Sequence, residues 1–158
     1  VTINRVIFEA LSDLLKNYDV LHQVGNNTEY GDWETAKKIK LEGYKAVEFL
    51  NSEKQAQALA DAEIIIGRSG AHIVYELGYL GKKSILIPIP WVSHNEQFLN
   101  AQILVNSGNA VLLPQDQLTK NNLLEAIDRA MLLNPHRIKL VTDACERMIK
   151  LLEAEFGK

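Results

Sequence analysis

Apolar residues recur at Ile3, Val6, Ile7, Leu11, Leu14 and Leu15, the three- and four-residue spacing of a helix buried along one side. The spacing predicts a helix over about residues 3–16. A strand is predicted over 19–24, ended by Gly25-Asn26-Asn27, then a short polar helix over 32–41. Residues 44–50 alternate weakly, as a strand does, and 52–62 is helical with Ser52 as its cap. Residues 63–67 are an apolar strand that runs into a small polar turn, and a helix over 71–80 follows at once, closed by Gly81. Another buried strand is predicted over 84–88, a helix over 95–106 stopped by Gly108, and a last strand over 110–113. Two helices, about 118–132 and 136–156, finish the chain.

Apolar strands alternating with helices of about ten residues predict an α/β fold: a Rossmann-like parallel sheet with helices on both faces. Ligands of such sheets bind beyond the carboxyl ends of the strands. The loops richest in small and polar residues (25–27, 51–52, 67–71 and 89–95) all follow strands, on that edge. The alternation also calls for a strand before the first helix. With Val1 in place of a methionine, the expectation is an excised part of a longer protein.

Composition narrows the function classes. The chain has 158 residues, 47% of them hydrophobic and 23% charged, which fits one domain over 1–158 with a substantial core. A net charge of −3 gives no reason to expect a nucleic-acid partner, and Lys37-Lys38-Ile39-Lys40 reads as a solvated helix face. Cys145 is the single cysteine, so no internal disulfide can form, consistent with a cytoplasmic location. No apolar run reaches the ~18 residues of a membrane span, and no signal-peptide pattern opens the chain.

The candidate chemistry centres on Ile64-Ile65-Ile66-Gly67-Arg68-Ser69-Gly70-Ala71. A helix that starts directly after a strand points free backbone N–H groups, and the positive end of its dipole, at whatever lies above the strand end. Gly70 permits close approach, and Ser69 either caps the helix or donates to a phosphate oxygen. Glu76 lies on nearly the same helix line as Ser69, ~10 Å along the axis. There it is either a solvated flank residue or an acceptor for a ribose 2′,3′-diol. Gln97 and Asn100, at i and i+3, present two amides suited to sugar hydroxyls. His94 is a phosphate contact or a solvated loop residue, Arg68 a phosphate ligand or half of an ion pair under the loop, and Trp91 loop packing. No Gly-x-Gly-x-x-Gly, Walker lysine or Asp-x-Asp occurs, so dinucleotide, P-loop and metal-held nucleotide-sugar signatures are absent. No nucleophile–base set is present, so no catalytic residue, metal or cofactor is assigned.

Ile64–Glu76, Ser84–Pro88 and Asn95–Ala101 resemble the C-terminal, donor-binding domain of the MurG family of UDP-N-acetylglucosamine-dependent glycosyltransferases, across essentially the whole chain. The resemblance implies half of a two-domain GT-B enzyme. That enzyme is an inverting, metal-independent transferase that moves N-acetylglucosamine to undecaprenyl-diphospho-muramoylpentapeptide for peptidoglycan, at the cytoplasmic face of the membrane. By position, Ser69, Gly70 and Ala71 would face the diphosphate, Glu76 the ribose, Phe49 and the backbone of Leu50 the uracil, and Gln97 and Asn100 the sugar. His72 and Glu96 fall inside the same motifs and join the donor-contacting set, although Glu96 stands where many relatives have Gln or His. The family's first strand and Gly-rich loop are missing, as is the acceptor domain with the candidate base, through which the lipid-linked acceptor would bind. The rival expectations are the nucleotide-binding subunit of a split polyprenol-linked transferase and a non-catalytic nucleotide-binding module.

Overall fold

The computed structural model describes residues 2–91, 95–139 and 144–156. The elements are α1 (Thr2–Leu14), β1 (Val20–Gln23), α2 (Asp32–Lys38), β2 (Tyr44–Val47), α3 (Ser52–Asp61) and β3 (Ile64–Gly67). They continue with α4 (Ala71–Leu80), β4 (Lys83–Leu86), α5 (Glu96–Asn106), β5 (Ala110–Leu112), α6 (Lys120–Met131) and α7 (Ala144–Phe156). All strand pairs are parallel, but they form two ladders, β1–β2 and β3–β4–β5, in place of the single sheet expected.

Side-chain alternation along β4 sorts the molecule into layers. Ile85 and Ile87 point into a core shared with Val6, Ile7 and Leu11 of α1 and Leu123 and Ile127 of α6. Leu86 points the other way, against Val74 and Leu77 of α4 and Leu104 of α5, with Leu59 of α3 packed beside them. Leu77, Ile85 and Ile87 are fully buried, each worth roughly 1.5–3 kcal/mol relative to exposure. Helices therefore cover both faces of the β3–β4–β5 ladder.

A buried polar chain ties α1 to the first ladder. The Asn4 amide donates to the Val24 carbonyl (3.0 Å) and to Asp32 Oδ2 (2.8 Å), which fixes its orientation. Asn4 Oδ1 is then an acceptor, so His22 Nε2, 3.1 Å away, carries the proton, and Nδ1 accepts from the Tyr44 hydroxyl (3.1 Å). Burial holds the His22 imidazole down at about 4 and pushes the Tyr44 phenol up.

Several boundaries differ from expectation; β2, for one, ends at Val47, short of 50. Asn51, not Ser52, caps α3, its side chain accepting from Lys54 N (2.9 Å). The final helix is described over Ala144–Phe156, and residues 136–139 of the expected helix are not helical. Asn109 grips both sides of the His136 backbone (2.7 and 3.0 Å), and Ile138 N donates to Gly78 O (2.9 Å). Gly81, at φ 64°, ends α4 beneath this segment. Helix α2 stops at Lys38, short of the expected 41.

Candidate functional site

The carboxyl edge of β3 and β4 gathers most of the residues singled out above. β3 ends at Gly67, the chain turns through Arg68 and Ser69, and Gly70 is the N-cap of α4 with an extended backbone (φ −62°, ψ 154°). The first helical bond is Val74 N to Gly70 O (3.1 Å), so the N–H groups of Ala71, His72 and Ile73 precede the helical ladder. No side chain caps them and no acidic residue lies in the first turn. The positive end of the helix dipole is left uncompensated.

Two further observations set this turn apart. Ser69 does not cap the helix: it is fully buried and its Oγ has no hydrogen-bond partner. A buried hydroxyl left unmade costs about 1–3 kcal/mol, a strong sign of a missing acceptor. A Cβ built on Gly67 or Gly70 meets nothing within 4 Å, so neither glycine is demanded by neighbouring protein atoms. Open space stands above both.

Arg68 serves the turn from below. Its guanidinium donates to Ile87 O (3.0 Å) and to Gln115 Oε1 (2.6 Å), stitching the β3 turn to the end of β4 and to the loop after β5. Neutral partners stand in place of the expected ion pair. Burial lowers the Arg68 pKa, but the group stays a cation next to the helix start.

Glu76 lines a groove of about 270 Å³ between α3 and α4, with Ser52, Gln55, Leu59 and Tyr79. Sequence reasoning missed Ser52 and Gln55 as neighbours of this carboxylate. Ser52 looked like a cap, and only the packing of α3 beside α4 brings the pair to Glu76. Phe49, 61% exposed, stands just before α3. The Leu50 N–H is already held by Gln23 Oε1 (3.1 Å), so a base docked there would meet the Leu50 carbonyl and the Phe49 ring.

On α5, the Gln97 carbonyl oxygen accepts from Ile89 N (3.0 Å), anchoring the loop after β4 and leaving the –NH₂ end for a ligand. Asn100 Nδ2 is buried without a partner, the second such atom among the described residues. Glu96, in the first turn of α5, and His72, in the first turn of α4, are exposed. Asn95 enters α5 with φ 56°. Trp91 is 74% exposed, not packed into the loop, and His94 lies outside the described residues. Among the described residues no three His, Cys, Asp or Glu side chains are grouped to hold a metal ion. Among the described residues no helix is long and apolar enough to cross a membrane.

Comparison with known proteins gives a consistent picture. Residues 1–151 match the model of the glycosyltransferase family 28 C-terminal domain. A UDP-N-acetylglucosamine–N-acetylmuramyl-(pentapeptide) pyrophosphoryl-undecaprenol N-acetylglucosamine transferase of Lawsonia intracellularis is 35% identical, the match covering 100% of this chain and 47% of that protein. The enzyme of the same name from Clostridium perfringens strain SM101 is 30% identical over 96% of this chain and 42% of its own length. The chain thus spans about half the length of the curated relatives it matches. Among solved structures, Acinetobacter baumannii MurG superposes with a TM-score of 0.70 at 21% identity, covering 97% of this chain and 46% of that one. The glycotransferase of kitacinnamycin superposes at 0.61 with 17% identity, over 95% and 33%. Both likenesses support the fold.

Proposed function

The chain belongs to the glycosyltransferase family 28 C-terminal domain family, and from that premise we propose that it is the donor-binding domain of an inverting, metal-independent N-acetylglucosaminyltransferase that uses UDP-N-acetylglucosamine. The observation that carries the reading is the open start of α4: three N–H groups ahead of the ladder, an unpartnered buried Ser69 hydroxyl, and empty space above Gly67 and Gly70. A diphosphate satisfies the N–H groups and occupies that space. Glu76 then takes the ribose diol in the α3–α4 groove, and Phe49 with the Leu50 carbonyl borders the uracil. The Gln97 –NH₂ group and Asn100 Nδ2 hold sugar hydroxyls, with His72 and Glu96 at the rim.

In the intact enzyme, an acceptor hydroxyl oxygen bonds to the anomeric carbon while the bond from that carbon to the β-phosphate oxygen breaks. The electron pair leaves with UDP, and the hydroxyl proton passes to a base supplied outside this chain. The part played here is to fix the donor and to stabilise charge growing on the leaving diphosphate, through the α4 dipole with Arg68 beneath it. The names of the relatives support undecaprenyl-diphospho-muramoylpentapeptide as the acceptor; on this reading the whole enzyme works at the cytoplasmic membrane face.

Titration calorimetry on the 158-residue chain with UDP, UDP-N-acetylglucosamine, UDP-glucose and NAD tests this. The uridine nucleotides bind and NAD does not. Glu76→Ala weakens UDP binding by ~1–3 kcal/mol if the carboxylate holds the diol; unchanged affinity removes that role.

A further inference from the structure

The end of β1 and the turn after β2 meet at the carboxyl edge. Gln23 is the last residue of β1, in register with Val47 of β2. Alternation along the strand turns its side chain away from the buried His22 and leaves it exposed. There it meets a residue 27 positions on in the chain: the Leu50 N–H donates to Gln23 Oε1 (3.1 Å). A backbone N–H can only donate, so this bond fixes which end of the planar amide is oxygen. The –NH₂ end is left over. It donates to no protein atom among the described residues. Nor does Leu50 O accept a backbone hydrogen bond among them.

Two groups of opposite sense are therefore free together, an acceptor on Leu50 and a two-proton donor on Gln23. The exposed Phe49 ring adjoins Leu50 in the chain, and Gly67 and Arg68 of the α4 turn line one cavity with Gln23 and Leu50. An aromatic face with an acceptor–donor edge suits a flat heterocycle carrying a ring N–H next to a carbonyl oxygen. Uracil has that edge. Cytosine has the reverse: a bare ring nitrogen that would face the Leu50 carbonyl, and an amino group that would face the Gln23 –NH₂. Both contacts then fail at once, with like groups opposed. A site built on paired hydrogen bonds rejects such an analogue far more strongly than an apolar pocket can. Phe49, by contrast, offers the same face to either ring.

Resting on the donor reading above, we propose that Gln23 is the residue that selects the base. With its oxygen held on the Leu50 N–H, its –NH₂ group donates to a uracil carbonyl oxygen, while Leu50 O accepts from the neighbouring ring N–H. The selection is for the keto over the amino form of the base, uracil over cytosine. Gln23 binds the nucleotide and takes no part in the bond changes at the sugar.

Titration calorimetry with UDP and CDP, on the 158-residue chain and its Gln23→Glu variant, tests this. The parent binds UDP at least ~30-fold more tightly than CDP. Glutamate keeps an oxygen on the Leu50 N–H and sets a second acceptor where the –NH₂ stood. That oxygen opposes the uracil carbonyl and accepts from the cytosine amino group, so the preference for UDP falls at least ~10-fold. Added charge or a local rearrangement would weaken both nucleotides alike, so an unchanged UDP-to-CDP ratio overturns the proposal. NMR of the parent gives a second readout that needs no variant. Saturating UDP moves the Gln23 side-chain –NH₂ signals downfield and slows their exchange with water, whereas pyrophosphate leaves them in place. Signals that UDP leaves unmoved also overturn the proposal. Failure of the parent to bind UDP at all removes the donor reading and this inference with it; UDP binding without discrimination removes this inference alone.

Discussion

His22 gives this fold an acid limit that can be measured. Its ring is packed between Phe8 (5.4 Å between centroids) and Tyr44, with Nε2–H on Asn4 and Nδ1 receiving the Tyr44 hydroxyl. Burial holds its pKa at about 4 against an ordinary 6.5. Above pH 6.5 both folded and unfolded chains carry a neutral ring, and His22 leaves stability independent of pH. Between 6.5 and about 4 only the unfolded chain takes up the proton, so stability falls as pH falls. At 1.36 kcal/mol per pH unit, the full loss is about 3 kcal/mol. His22→Phe keeps the ring volume and cannot titrate. At pH 7.5 it leaves Asn4 Oδ1 and the Tyr44 hydroxyl without their partner, a cost of about 1–3 kcal/mol. Urea unfolding followed by the fluorescence of Trp33 and Trp91, at pH 7.5, 6, 5 and 4, gives both curves. Carboxylate titration is common to the two proteins and cancels in their difference. The stability advantage of the parent over the variant shrinks by about 3 kcal/mol across that range. Parallel curves would show that the imidazole is not the group responsible.

Two further substitutions probe the segment after α6. Asn109→Ala leaves the His136 N–H and C=O without their partners, costs about 1–3 kcal/mol in chemical denaturation, and speeds amide exchange at Ile138; unchanged stability would mean that water replaces the amide freely. Gly81→Ala puts a Cβ 2.9 Å from Arg137 N and His136 C at a backbone φ of 64°. It lowers stability by about 1–3 kcal/mol, more than Gly108→Ala, where φ is 76° but nothing lies within 4 Å; equal losses would assign the whole effect to the backbone.

The sequence by itself determined the alternation of strands and helices, the carboxyl-edge placement of the site, and the start of α4 at Gly70. These follow from local rules: a 3.6- or 2-residue period, a glycine stop, and an apolar run long enough for a buried strand. The places of Ser69 just before α4 and of Glu76 upon it were legible for the same reason, being fixed by their spacing from the helix start. Tertiary structure alone decided the rest. Ser52 and Gln55 reach the Glu76 groove because α3 and α4 lie side by side, and Arg68 meets Gln115 across a separation of 47 residues. Residues 136–138 looked helical in pattern but are held out of a helix by Asn109 and Gly78, contacts that outweigh local propensity. The split between β1 and β3 was invisible as well, since periodicity records which face of a strand is buried but not which edge is paired. Hydrogen bonding between strands joins residues distant in the chain, and only the folded arrangement of both edges reveals where one is left open.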